Sequence, residues 1–456
     1  MKTQTLQLRQ EAHDAYLASI QKSAGAKPNI LLVFVDDMGY GDLSCFGSKA
    51  IRTPNIDRIA ERGAKLTNFY AASPVCSPSR FSCLTGRYPT RGFFHDVLFS
   101  QRTMFGRFFN RKHFPAGVRG ILPDEVTIPE ALRAGGYRTG MFGKWHLGDS
   151  HPSLPNDKGF DYFFGAYYSV DMEPYELYRN ETVAVPKPVD KRNLTKMLTA
   201  EILQYLDESQ EQPFFLYYAS PYPHHPAAAS DEFAGRSAAG TYGDCVEELD
   251  WSIGQILNKL DELGLSDNTM VVFTSDNGPW FEGNPGYHRG RKGENFDGGH
   301  MVPFVACWPE KIPAGIIVES AAMNTDFFPT FLKMAGIPLP EDREIDGRDM
   351  LPQLMGEQRE NTQEAYFFIR ADKALAVRTR DDMKYMARKY CDYQPYTHNL
   401  MGPFLFDLRV DPQEAYDTSA SNAQKAAEMA QLLENANARI QRNPRGWKRN
   451  AAVTSR

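Results

Sequence analysis

The stretch PVCSPSRFSCLTGR, residues 74 to 87, sets a cysteine between two prolines, with serines and an arginine close by. A structural cysteine usually lies in an apolar run and behaves as a small hydrophobe. Cys76 lies at the mouth of a turn instead. Ser77 as a cap, Pro78 at the first helical position and Gly86 past the end predict a two-turn helix, with Cys76 immediately before its amino end. Backbone N–H groups and the helix dipole at that point favour negative charge. Arg80, in the first turn, can fold back toward it. A plain cysteine so placed would be a low-pKa nucleophile; a buried thiol in a turn is the reading these residues leave equally open.

A second set of reactive groups stands at strand ends. NILLVFVDDMG, residues 29 to 39, is an apolar run that stops at Asp36 and Asp37, and TMVVFTSDNGP, residues 269 to 279, repeats the design with Asp276 and Asn277. Three carboxylates brought together repel unless a cation compensates them. Hard oxygen ligands select calcium or magnesium over zinc, and several protein oxygens in one dedicated site favour calcium. Turn and cap roles are the alternative for either pair alone; two pairs at the same kind of place favour a metal.

The elements that must position these groups can be read around them. Unbroken apolar runs suit strands buried on both faces of a parallel sheet, and residues 137 to 149 and 212 to 226 supply two more that end in polar residues. Residues 53 to 63, 127 to 136 and 242 to 264 read as helices, each reaching Gly at its end. The alternation predicts an α/β fold with a mainly parallel central sheet flanked by helices, whose ligands bind outside the carboxyl ends of the strands. Both acidic pairs fall there. After about residue 365 the texture becomes antiparallel strands with a closing helix over 421 to 442 and a polar, basic tail after Asn443 that reads as unstructured. We therefore expect an N-terminal helical extension over 1–27, with Leu6, Ala12, Tyr16 and Ile20 on one face. A catalytic domain over 28–365 and a smaller C-terminal α+β domain over 366–456 complete the division.

Composition narrows the function classes. A net charge of -6 argues against wholesale nucleic-acid binding. No run reaches the length of a membrane span. The first residues lack the apolar block of a secretory signal, so the expected location is the cytoplasm, or an exported compartment if a leader has been trimmed. The six cysteines form no CxxC pair and are expected to be mostly reduced core thiols.

CSPSRFSCLTGR resembles the signature of the type I sulfatases, in which a cysteine followed by x-Pro-Ser-Arg and then Leu-Thr-Gly-Arg becomes Cα-formylglycine. VDDMGYGDLSCFG, GKWHLG, PHHP, TSDNGP, RGRKGENFDGGHMVPFVACWP and FLFDLRVDPQE resemble further segments of that family in its order, and YYSVDMEP resembles its arylsulfatase A-like members. The resemblance runs from about residue 28 to 417 and implies an alkaline phosphatase-like fold and hydrolysis of a sulfate monoester. It implies that a modifying enzyme of the host converts Cys76, and that the hydrated aldehyde attacks sulfur with one hydroxyl and expels sulfate with the other. It further implies that Asp36, Asp37, Asp276 and Asn277 hold the cation, Arg80 steadies residue 76, and Lys144 and Lys292 hold sulfate oxygens. His146 matches the proton acceptor, His224 rather than its neighbour His225 matches the group that helps the leaving alcohol, and Ser169 matches a substrate-contacting serine.

Residues 92 to 120, directly after the nucleophile helix, hold seven phenylalanines and, counted from Arg91, a local charge of +5. Arg102 and Arg107 in this segment are expected to line an anionic substrate's entrance; a surface loop or an oligomer contact is the alternative. Residues 389 to 399 are a second candidate wall. A small or carbohydrate sulfate ester is the expected substrate. The rivals are a phosphonate or phosphate ester hydrolase of the same fold and a non-catalytic sulfated-ligand binder. The second would be expected to lack the cysteine, a lysine or a carboxylate that are all present. A two-zinc phosphatase would need more His and Asp ligands and a Ser or Thr nucleophile.

Overall fold

The seven residues of strand Asn29–Val35 are all buried, and their side chains divide between two cores. Ile30, Leu32 and Phe34 face one, Leu31, Val33 and Val35 the other. Strands Thr269–Ser275 and Phe214–Ala219 flank it in parallel and divide their side chains in the same way. A strand sandwiched between two helical layers has no polar face to show, which is why its sequence does not alternate. The computed structural model in which this is seen describes residues 3–22, 27–115, 118–209, 211–361, 363–389 and 401–448, with side chains from Leu8 onward.

The sheet has ten strands among the described residues. Its middle is parallel, in the order Thr269–Ser275, Asn29–Val35, Phe214–Ala219, Arg138–Lys144, Tyr162–Ala166. Antiparallel strands close both margins, Phe304–Cys307 on one side and Leu177–Arg179 on the other. Helices Cys76–Thr85, Ile128–Ala134 and Phe327–Met334 cover one face, and Pro54–Glu61, Leu194–Asp207 and Gly240–Glu262 the other. Strands Ala365–Arg370, Lys373–Thr379, Met383–Met386 and Phe404–Asp407 form a separate antiparallel sheet. Helix Ala423–Arg442 packs on it through Met429 and Leu433, in a core that also takes Phe296 and Met301 and, from a separate two-stranded sheet of Phe69–Tyr70 and Ala322–Met323, Tyr70. No helix among the described residues is long and apolar enough to cross a membrane.

Two expectations are corrected. The nucleophile helix begins at Cys76 itself: Val75 is extended at the cap position, and the Ser77 hydroxyl accepts from Leu98 N at 3.0 Å instead of capping. The N-terminal helix Thr3–Ser19 does turn its expected face inward, with Tyr16 against the main core and Ile20, just past the helix, buried in it; it also buries His13 against Glu130, a pairing that an apolar stripe does not announce. The described part of the basic tail, to Lys448, is packed on the larger domain: Arg445 is buried on Asp124 and Glu125, and the Trp447 ring lies 4.7 Å from the guanidinium of Arg343. Cys45, Cys76, Cys83, Cys245 and Cys307 are free thiols, whereas Cys391 and the rest of 390 to 399 lie outside the described residues.

Candidate active site

Strands Asn29–Val35 and Thr269–Ser275 run side by side with Val35 opposite Ser275, so the residues that follow each strand emerge together. Asp276 N donates to Val35 O at 2.9 Å, and Asp37 N donates to Asp276 Oδ1 at 3.2 Å. Asp37 takes a positive φ of 63°, which turns its carboxylate back to its neighbours. The first turn of helix Cys76–Thr85 meets them: Cys76 Sγ donates to Asp36 Oδ1 at 3.4 Å. Ser79 Oγ donates to the carbonyl of Asp276 and accepts from Asn324 Nδ2 at 2.8 Å, tying the helix to the strand tip. Sequence reasoning did not single out Asn324, which belongs to no recognisable motif.

Three cations face the three carboxylates. Arg80 pairs with Asp276 at 2.8 Å and Asp36 at 3.3 Å, Lys144 with Asp36 at 2.5 Å, and Lys292 with Asp37 at 2.7 Å. With every group ionised the cluster is neutral, and all six side chains are buried. Burial opposes charge on Asp36, but Lys144, His224 and Arg80 outweigh it and hold the carboxyl well below its ordinary range. Burial and Asp36 raise the Asp276 carboxyl above its ordinary range, with Arg80 and Lys144 opposing them. Burial and Asp36 likewise push the Cys76 thiol well above its ordinary range. This departs from the expectation of a low-pKa cysteine: burial first, and then Asp36, outweigh Lys144 and Lys292.

The donor set fits a hard divalent cation. Asp36, Asp37, Cys76 and Asp276 each offer a ligand atom, all within 4.8 Å of one another. Asn277 donates through Nδ2 to Asp37, which leaves its Oδ1 buried without a partner, an oxygen that a cation would satisfy. A divalent ion would change a neutral cluster into one of charge +2, which an anionic ligand offsets. Oxygen donors with a single sulfur suit calcium better than zinc.

Two histidines complete the centre. His146 Nε2 donates to Leu98 O at 3.0 Å, so the proton sits on Nε2 and the buried Nδ1 is a free acceptor. Burial, Lys144 and Arg80 hold its pKa well below the ordinary imidazole value. His224 Nε2 lies 3.5 Å from Asp37 Oδ2, whereas His225 points outward to Glu282. Burial and Lys292 lower the His224 pKa. Ser169, just past strand Tyr162–Ala166, is buried with an unpartnered Oγ. Arg102 and Arg107 are not part of this cluster: Arg102 donates to Tyr178 Oη at 2.5 Å, and Arg107 lies on the exposed face of helix Met104–His113.

Comparison with known proteins gives the chain a family. The Sulfatase family matches residues 28–337, and the family described as N-sulphoglucosamine sulphohydrolase, C-terminal, matches residues 292–443. Steryl-sulfatase of Homo sapiens is 33% identical over 529 residues, covering 92% of this chain and 89% of its own. N-acetylgalactosamine-6-sulfatase of Canis lupus familiaris is 38% identical over 382 residues, covering 78% and 71% respectively. Among solved structures, Ps i-CgsB in complex with k-i-k-neocarrahexaose is similar at a TM-score of 0.79 and 28% identity, covering 94% of this chain and 96% of that one.

Proposed function

The chain belongs to the sulfatase family and is a sulfuric ester hydrolase, and from that premise we propose that residue 76, as Cα-formylglycine, works beside a calcium ion held by Asp36, Asp37, Asp276 and Asn277 on sulfate monoesters, carbohydrate sulfates first among them. The observation that carries this reading is the buried cluster of three carboxylates and three cations around Cys76.

When present, the modified residue supplies a geminal diol and the cation supplies positive charge beside it. The chain's own groups do the rest. Lys144, paired with Asp36, and Lys292, paired with Asp37, bind the sulfate oxygens, where charge stabilisation is the largest contribution. Arg80, locked on Asp276 and Asp36 with its Nη1 on Lys144 O, fixes residue 76 against the strand tips. His146 Nδ1 takes the proton whose loss expels sulfate. His224 serves the leaving oxygen; an arriving anion favours the charged ring that burial and Lys292 disfavour in its absence. The substrate preference draws support from the exposed cations that follow the nucleophile helix, Arg102, Arg107, Arg111 and Lys112, and from the two different sugars, N-acetylgalactosamine and a neocarrahexaose, in the names of two similar proteins. Cys76 is 2% exposed, so the modifying enzyme must reach it before this helix packs.

Assaying the mature enzyme with metal analysis tests the reading. It predicts one calcium ion per chain, and alcohol and inorganic sulfate released in equal amounts from sulfated sugars and aryl sulfates. Two zinc ions per chain, or faster turnover of phosphodiesters and phosphonates, would overturn it.

A further inference from the structure

Lys292 sits in a loop, residues 289–301, that touches three parts of the molecule. Lys292 N donates to Pro279 O at 3.0 Å, beyond the second acidic strand, and Gly293 N donates to Pro74 O at 2.9 Å, just before the nucleophile helix. The loop is closed on itself. Gly298 N donates to Arg289 O at 2.7 Å, and a Cβ on Gly298 or Gly299 would lie 2.2 Å from Gly290 O or Glu294 O. So compact a segment moves as one piece, and a displacement at one end reaches the lysine.

The third contact is with the C-terminal sheet, and it is ionic. Lys384, in strand Met383–Met386, places Nζ 2.6 Å from Asp297 Oδ1 and 2.7 Å from Glu414 Oε1. Asp297 N donates to Glu414 Oε2 at 2.6 Å, and Tyr70 Oη donates to Asp297 Oδ2 at 3.0 Å. Arg378 of the neighbouring strand donates to Tyr70 Oη at 2.6 Å. Around this centre Arg289 donates to Glu414 O at 2.8 Å and Asn295 to Arg388 O at 2.8 Å. Lys384 and Glu414 are fully buried and Asp297 is 1% exposed.

A buried ion triad is weak support for stability, since desolvation offsets most of the attraction and well-packed apolar residues often do as well. What such a triad supplies is register: it is satisfied in one relative placement of its two sides. We infer that the C-terminal sheet positions Lys292, with Lys384, Asp297 and Glu414 as positioning residues that fix the 289–301 loop over the sulfate site. The inference rests on Lys292 as a sulfate-holding lysine.

The test compares E414A with E414Q in the mature enzyme. E414A removes both the ion and the acceptor for Asp297 N; E414Q keeps an oxygen acceptor. With the loop loosened, E414A should lower kcat on an aryl sulfate by about 10–100-fold, the scale of a misplacement of about 1 Å. It should raise the inhibition constant of inorganic sulfate about tenfold, with bound metal unchanged, and E414Q should recover most of both. A folded E414A enzyme with kcat and sulfate inhibition within about twofold of the parent would overturn the inference, whatever its Tm. If E414A does not fold, R289A/N295A removes two ties without leaving a buried charge alone, and is judged by the same two quantities. K292A separates the premise from the inference. An unimpaired K292A contradicts the role of Lys292, and an impaired K292A beside an unaffected E414A contradicts the positioning alone.

Discussion

The His146 ring donates one hydrogen bond, from Nε2–H to Leu98 O, and that bond decides its chemistry. It fixes the tautomer, leaves Nδ1 as an acceptor, and lets burial, Lys144 and Arg80 keep the ring neutral. A proton acceptor must be neutral to act, and a lowered pKa keeps it neutral further into acid. The acid limb of kcat should therefore fall below the ordinary imidazole value of about 6.5, and H146A should remove that limb while lowering kcat by about 10²–10⁴-fold. A pH–rate profile of the two proteins checks this; an acid limb at or above the ordinary value that survives in H146A would contradict it. At this scale the sequence was informative where chemistry follows position along the chain. Acidic residues that end apolar runs meet when the runs pair, and Asp36, Asp37, Asp276 and Asn277 do. It was uninformative where chemistry depends on neighbours distant in sequence. Nothing local says that burial and Asp36 push the Cys76 thiol up or that Asn324 braces Ser79.

Elements place these residues, and their boundaries answer to the same non-local competition. Ser77 before Pro78 has the pattern of a cap, yet its hydroxyl accepts from Leu98 N, and the helix starts two residues earlier, at Cys76. Leu98 thus bonds both Ser77 and His146, which makes the start of the 92–120 segment a wall of the centre. Beyond it, helix Met104–His113 leaves Met104, Phe105 and Phe108 exposed beside Arg107, Arg111 and Lys112. If this face guides a large anionic substrate, R102E/R107E should raise KM for a sulfated oligosaccharide several-fold more than for a small aryl sulfate, since charge steering grows with ligand charge. Steady-state kinetics on both substrates at low salt checks this, and equal effects on the two would make the helix a surface feature only. The strands themselves were legible, because a run buried on both faces has one simple pattern.

The whole molecule is fastened at places where composition gives little warning. Arg445 and Trp447 follow the last helix in a stretch that reads as a solvated tail, but their partners, Asp124, Glu125 and Arg343, stand about a hundred residues or more away in the larger domain. The C-terminal sheet is held to the catalytic loops in the same manner, through Lys384, Asp297 and Glu414. Such pairings depend on topology, and no periodicity foretells them. What the assembled fold achieves is a neutral, buried cluster around residue 76 that gains positive charge with a cation and so receives a sulfate ester. Its central claim is that residue 76 acts as a two-hydroxyl nucleophile, and serine at that position isolates the claim. C76S retains one hydroxyl beside Asp36, Lys144 and Lys292, enough for attack on sulfur, but has no second hydroxyl on that carbon to expel sulfate. Intact-protein mass spectrometry of C76S after incubation with an aryl sulfate, alongside product counting, is the most direct test. The account predicts a sulfated serine at position 76 and about one product released per chain, whereas the mature parent turns over repeatedly; sustained turnover by C76S near the parent's rate, with no sulfated protein, would contradict it.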